Sequence, residues 1–93
     1  MIVARRLVVR GRVQGVGFRH AATRAASEAG VVGWVRNDTD GTLAAEATGT
    51  DAALLSFAAG LRMGPPGAWV ETLDAFVLNE VDRSPRTDFA VED

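Results

Sequence analysis

Twice along its 93 residues the chain passes from a strand-like run into a helix-like run and back to strand, and that order restricts the possible folds more than any other feature. In residues 2–10, rich in Val, Ile and Leu, Leu7 and Val9 alternate with Arg6, Val8 and Arg10, the period of a strand with one buried face. From Phe18 the period lengthens. Phe18, Ala22, Ala25, Ala26 and Ala29 share one helical face, and Gly30 follows as a left-handed C-cap. Residues 31–37 return to strand character, Asp38-Thr39-Asp40-Gly41 has hairpin-loop chemistry, and residues 42–48 run back as an antiparallel neighbour. The second helix starts after the capping oxygens of Gly49-Thr50-Asp51, with Leu54, Phe57, Ala58 and Leu61 on one stripe, and Pro65-Pro66 stops it. Trp69 to Leu78 predicts a fourth strand whose alternation changes phase, the mark of a bulge or a frayed half. Residues 79–88 are polar and turn-like, and Phe89-Ala90-Val91 suits a short edge strand before two terminal acids.

This order predicts an α+β fold of the ferredoxin-like split βαβ type (βαββαβ), forming one domain over residues 1–93. Right-handed crossovers then put both helices on one face of an antiparallel sheet of four to five strands, with the first and third strands central. The first two strands run parallel with the third between them. The turn after the first strand and Asn37 at the end of the second therefore emerge at the same end of the sheet, roughly 9–10 Å apart.

Composition narrows the chemistry. The apolar share of 47% is ordinary for a globular protein, and the absence of cysteine excludes disulfides, thiolate metal sites and a cysteine nucleophile. The arginine-interrupted N-terminal run does not resemble a signal peptide, and no stretch has the apolar length of a membrane span, so a cytoplasmic protein is expected. The net charge of −2 hides an asymmetry. Residues 1–36 carry seven arginines against Glu28 alone, while residues 37–93 carry three arginines against eleven acids. As a group the basic residues favour an anionic ligand, although single arginines are usually solvated.

Within the basic half, the turn Gly11-Arg12-Val13-Gln14-Gly15-Val16-Gly17-Phe18-Arg19 leads from strand to helix. Gly15 and Gly17 permit backbone dihedrals closed to other residues, and the first N–H groups of the helix point to the same place, as in an anion-binding nest. Arg19 adds a planar fork suited to two phosphate oxygens. The turn is neither a Walker A loop nor a dinucleotide fingerprint, since His20 stands where the third glycine of the latter would be. On spacing alone, a plain strand-to-helix turn with Arg19 exposed is an equal alternative.

The same nine residues resemble the first signature of acylphosphatases, Gly-x-Val-Gln-Gly-Val-x-Phe-Arg, at every fixed position. Gly33-Trp34-Val35-Arg36-Asn37, followed by Gly41-Thr42-Leu43 and Gly49, is similar to the second, and the resemblance runs over about residues 6–91. It implies a metal-independent, cofactor-free hydrolase that splits the carboxyl–phosphate bond of small acyl phosphates. It also implies a phosphoryl group held by the backbone amides of Gln14, Gly15, Val16, Gly17, Phe18 and Arg19 and by the Arg19 guanidinium, with Asn37 orienting the attacking water. Inorganic phosphate is then product or inhibitor, and the enzyme is expected to be a monomer without nucleic-acid or membrane partners. Leu43 stands where valine is commoner, Gly17 where a larger residue is frequent, and Glu92-Asp93 where relatives end on apolar residues.

Other conspicuous residues carry less. His20 reads as a surface helix residue, Phe18 and Trp34 as packing anchors, and Asp38 as a turn residue facing water, since an inward carboxylate would repel phosphate. Trp69 suits a core or an edge position equally. An RNA-binding role on the same fold would need base-stacking aromatics on the first and third strands, which have none. A noncatalytic phosphate- or carbamoyl-phosphate-binding module is the other alternative.

Overall fold

Alternation and burial agree in the middle of the first strand, where Leu7 and Val9 are buried while Arg6 and Val8 are partly covered and Arg10 is exposed. The computed structural model describes residues 1–78 and 87–92, in which β1 (Ile2–Arg12), α1 (Phe18–Ala29), β2 (Val32–Asn37), β3 (Leu43–Thr50), α2 (Asp51–Met63), β4 (Trp69–Leu78) and β5 (Phe89–Val91) follow in order. The strands form one sheet in the order β4-β1-β3-β2-β5. The expected α+β split βαβ sandwich is therefore observed, with α1 packing on β2, β5 and α2, and α2 packing on β1, β3 and β4.

The phase change expected in the fourth strand is a bulge. The β1–β4 pairing steps from Arg10–Thr72 to Gly11–Val70, which makes Glu71 the extra residue. The sheet differs from expectation in one respect: it is mixed, because β5 lies parallel to β2 through Gly33–Phe89, Trp34–Ala90 and Val35–Val91. A three-residue apolar run carries no pattern that fixes its direction, so this orientation is set by tertiary packing. Phe89 meets Phe57 edge-on, ring centroids 5.4 Å apart. The polar segment read at residues 79–88 lies, for residues 79–86, outside the described residues.

The core lies between the sheet and the helices. Phe18, Phe57, Leu7, Leu43, Leu61, Val9, Val13 and Val35 are its largest fully buried side chains among the described residues, each contributing about 1.5–3 kcal/mol by leaving water. Ala22 and Ala26, both fully buried, let α1 lie close to the sheet, and Gly30 (φ 80°) ends it with its N–H donating to the Ala26 carbonyl oxygen. This fixes the height of the turn that precedes α1. Trp34 is not a core anchor. It lies on the sheet face away from the helices, with the Arg36 and Arg6 guanidinium carbons 4.7 and 5.8 Å from its ring centroid. Trp69 is an exposed edge aromatic.

Candidate active site

The turn between β1 and α1 is pinned at both ends by buried side chains, Val13 before it and Phe18 after it. Between them the backbone takes positive φ twice, at Gly15 (74°) and Gly17 (78°). A Cβ at either glycine would meet nothing within 4 Å, so the dihedral angle and not space calls for glycine. Gly17 is the N-cap of α1. No side chain caps this end among the described residues, and the first turn contains no acid. A helix start without a side-chain cap turns its leading N–H groups and the positive end of its dipole outward, where a negative charge is favoured.

That acceptor would sit in a cleft of about 540 Å³ lined by Gly15, Gly17, Phe18, Arg19 and Asn37, together with Thr23 and Val91. Asn37 arrives there by register. Leu43 pairs with Val9 on one side and with Asn37 on the other. Side-by-side partners share a face, and Val9 and Leu43 are buried beneath the helices, so Asn37 also faces α1. The Asn37 Oδ1 atom is buried and accepts no hydrogen bond among the described residues. Such an acceptor costs about 1–3 kcal/mol when left without a donor, which marks a place where a ligand or water belongs.

The two halves of the cleft are tied together. The Gln14 side chain donates from Nε2 to the carbonyl oxygens of Asp38 (2.7 Å) and Thr42 (3.1 Å), joining the glycine turn to the β2–β3 hairpin. The hairpin is itself braced by Asp40, whose Oδ1 accepts from the Thr42 hydroxyl (2.6 Å) and Thr42 N–H (3.1 Å). The Thr42 hydroxyl, and then its amide, hold the Asp40 carboxyl below its ordinary pKa of 3.8. Asp38 forms the turn as expected, with its N–H donating to Thr42 O (2.9 Å), and its carboxylate is taken by Arg36 Nε at 2.7 Å.

Of the residues named from sequence, Gly15, Gly17, Phe18, Arg19 and Asn37 come together in the cleft, while Gln14 and Val16 are not among its lining residues. Val16 instead lines a neighbouring groove that meets the cleft at Gly17 and His20. His20 is exposed on the rim between the two. Sequence reasoning missed Thr23 and Val91. Thr23 stands one turn after Arg19 and donates from its hydroxyl to the Arg19 carbonyl oxygen at 3.0 Å, a contact that the i, i+4 spacing could have indicated.

A ferredoxin-like sandwich gathers an uncapped helix start, an arginine and an unsatisfied asparagine oxygen around one cleft, an α+β protein with the groups an oxyanion site would need. The acylphosphatase family model matches residues 5–91. An acylphosphatase of Thiobacillus denitrificans is 50% identical over 68 residues, covering 73% of this chain and 76% of that protein. Among solved structures, the acylphosphatase from Bacillus subtilis superposes with a TM-score of 0.91 at 32% identity, covering 99% of both chains. Full-length HypF in its phosphate- and nucleotide-bound form matches with a TM-score of 0.88 at 28% identity, and this chain covers 12% of it. The chain belongs to the acylphosphatase family and shares that family's hydrolase activity.

Proposed function

We propose that the enzyme hydrolyses the carboxyl–phosphate bond of small acyl phosphates, with Arg19 and the backbone amides of residues 14–19 holding the phosphoryl group and Asn37 orienting the water. The single observation that carries this reading is the buried, unsatisfied Asn37 Oδ1 in the same cleft as Arg19 and the uncapped start of α1. An acceptor oxygen there suits an O–H of a water whose lone pair is turned toward phosphorus. The water oxygen forms the new P–O bond while the bond from phosphorus to the acyl oxygen breaks, and the electron pair leaves with the carboxylate.

The conjugate acid of that carboxylate has a pKa of about 4–5, so departure needs no proton donor. Asparagine cannot accept the water's proton at neutral pH, and a phosphoryl oxygen of the substrate takes it. Charge on the other phosphoryl oxygens is met by Arg19 and the amides, whose directions are fixed before the reaction begins. No metal takes part in this route. The enzyme acts as a cytoplasmic monomer on a small-molecule substrate, with inorganic phosphate as product or inhibitor.

Hydrolysis of benzoyl phosphate in EDTA, read with two variants, tests the reading. Arg19→Ala is expected to lower kcat/KM by about 10³-fold and to weaken phosphate inhibition. Asn37→Ala is expected to lower kcat by about 10²-fold with phosphate inhibition nearly unchanged. Full activity in Arg19→Ala, or equal loss of phosphate affinity in both variants, contradicts the assigned roles. The other reading raised by the sequence is a noncatalytic phosphate- or carbamoyl-phosphate-binding module. Phosphate binding without turnover would select it.

A further inference from the structure

The Asp38 carboxylate follows directly on Asn37, where a negative charge opposes an incoming phosphoryl group, and the structure holds it elsewhere. Trp34, Arg36 and Asp38 alternate onto the sheet face away from the helices, opposite to Asn37. Arg36 donates from Nε to Asp38 Oδ1 at 2.7 Å while its guanidinium carbon stands 4.7 Å from the Trp34 ring centroid. The ring's other guanidinium belongs to Arg6, which is engaged at 2.8 Å with Glu46. Each arginine on Trp34 therefore has its own carboxylate, and the stack presets the Arg36 fork for Asp38. The Asp38 main chain is fixed at the same time, its N–H on Thr42 O (2.9 Å) and its carbonyl under Gln14 Nε2 (2.7 Å).

We propose that Arg36 is a positioning residue that keeps the Asp38 carboxylate on the open face of the sheet and so preserves the affinity of the cleft for a doubly charged phosphoryl group. The inference rests on the reading that this cleft binds phosphate. The Cα atoms of Asn37 and Asp38 are one peptide apart, so a released carboxylate swings within a few side-chain lengths of the bound anion, closer than the roughly 8–10 Å over which salt screens exposed charges. Both partners are about a third exposed, with side chains at 37% and 28%. A pair so placed adds little to folding stability. Its loss is therefore expected in ligand affinity and not in the fold.

The test compares Arg36→Met, Asp38→Asn and the double variant with the parent chain, reading inorganic phosphate binding by calorimetry and KM and kcat on benzoyl phosphate. Met keeps an apolar stem over Trp34 without the charge, and Arg36→Gln replaces it if that variant fails to fold. Arg36→Met is expected to weaken phosphate binding and raise KM about three- to tenfold with kcat little changed, a difference that shrinks in concentrated salt. Asp38→Asn alone is expected to bind phosphate at least as well as the parent, and added to Arg36→Met it restores binding to within about twofold. An unrescued double variant, or an Arg36→Met that binds like the parent, overturns the proposal while leaving the cleft reading intact. Failure of the parent chain itself to bind phosphate overturns both.

Discussion

The two helices begin in opposite ways. The start of α2 is closed: the Thr50 Oγ1 accepts from the Ala53 N–H at 3.0 Å, and Asp51 adds an acid to the first turn. The start of α1 is open, with a left-handed glycine for a cap, no side-chain acceptor among the described residues, and Arg19 where an acid would complement the dipole. Both follow a strand in the same sheet and both are buried along one face by similar apolar stripes. A capped helix start spends its orphan donors on stability, whereas in the proposed reading the uncapped one turns them, with the positive charge of Arg19 beside them, to a ligand.

Substitutions at the two ends break or sharpen this contrast. After the about 10³-fold loss expected of Arg19→Ala, the largest effect is expected at Gly17, where an alanine must adopt φ near 78°, at about 1–2 kcal/mol of stability. Gly17→Ala is expected to lower kcat/KM about ten- to hundredfold by tilting the amides, which stopped-flow hydrolysis and thermal melts resolve together. Next comes His20→Glu, which gives α1 the first-turn acid it lacks. Helix stability should rise by about 0.3–1 kcal/mol while phosphate affinity falls about three- to tenfold. Thr50→Ala reverses the pattern, costing about 1 kcal/mol in chemical denaturation and leaving kcat/KM at the parent value.

The smallest effect is at Asp40. Its folded-state pKa is lowered, so its contribution is present above the ordinary value of 3.8 and is lost as pH falls through the lowered folded value. Melting temperature followed from about pH 5 to pH 2 should decline less steeply in Asp40→Asn than in the parent.

Much of this was legible in the chain. Period and punctuation located both helices and the hairpin, because Gly30, Thr50 and Pro65 act on their own neighbours and need no tertiary context, while the phase change in β4 left a bulge and a frayed half equally open. Asn37 was placed at the same end of the sheet as the glycine turn by topology alone, since the first two strands run parallel with the third between them. What escaped was set by contacts distant in sequence. The direction of β5 depends on which edge it reaches, and the bonds from Gln14 to Asp38 and Thr42 span 24 and 28 residues. Trp34 reads only as a packing anchor in isolation. Only pairing with Glu46, itself opposite Arg6, puts it under two guanidinium groups on the open face.

The proposal that α1 is left open to receive a phosphoryl group is tested by titrating inorganic phosphate into ¹⁵N-labelled protein and following each amide. Shifts are expected to concentrate at Gly15 to Arg19 and at the Asn37 side chain, with the amides of Asp51 to Leu54 unmoved. Equal shifts at both helix starts, or none at Gly15 to Arg19, would contradict it.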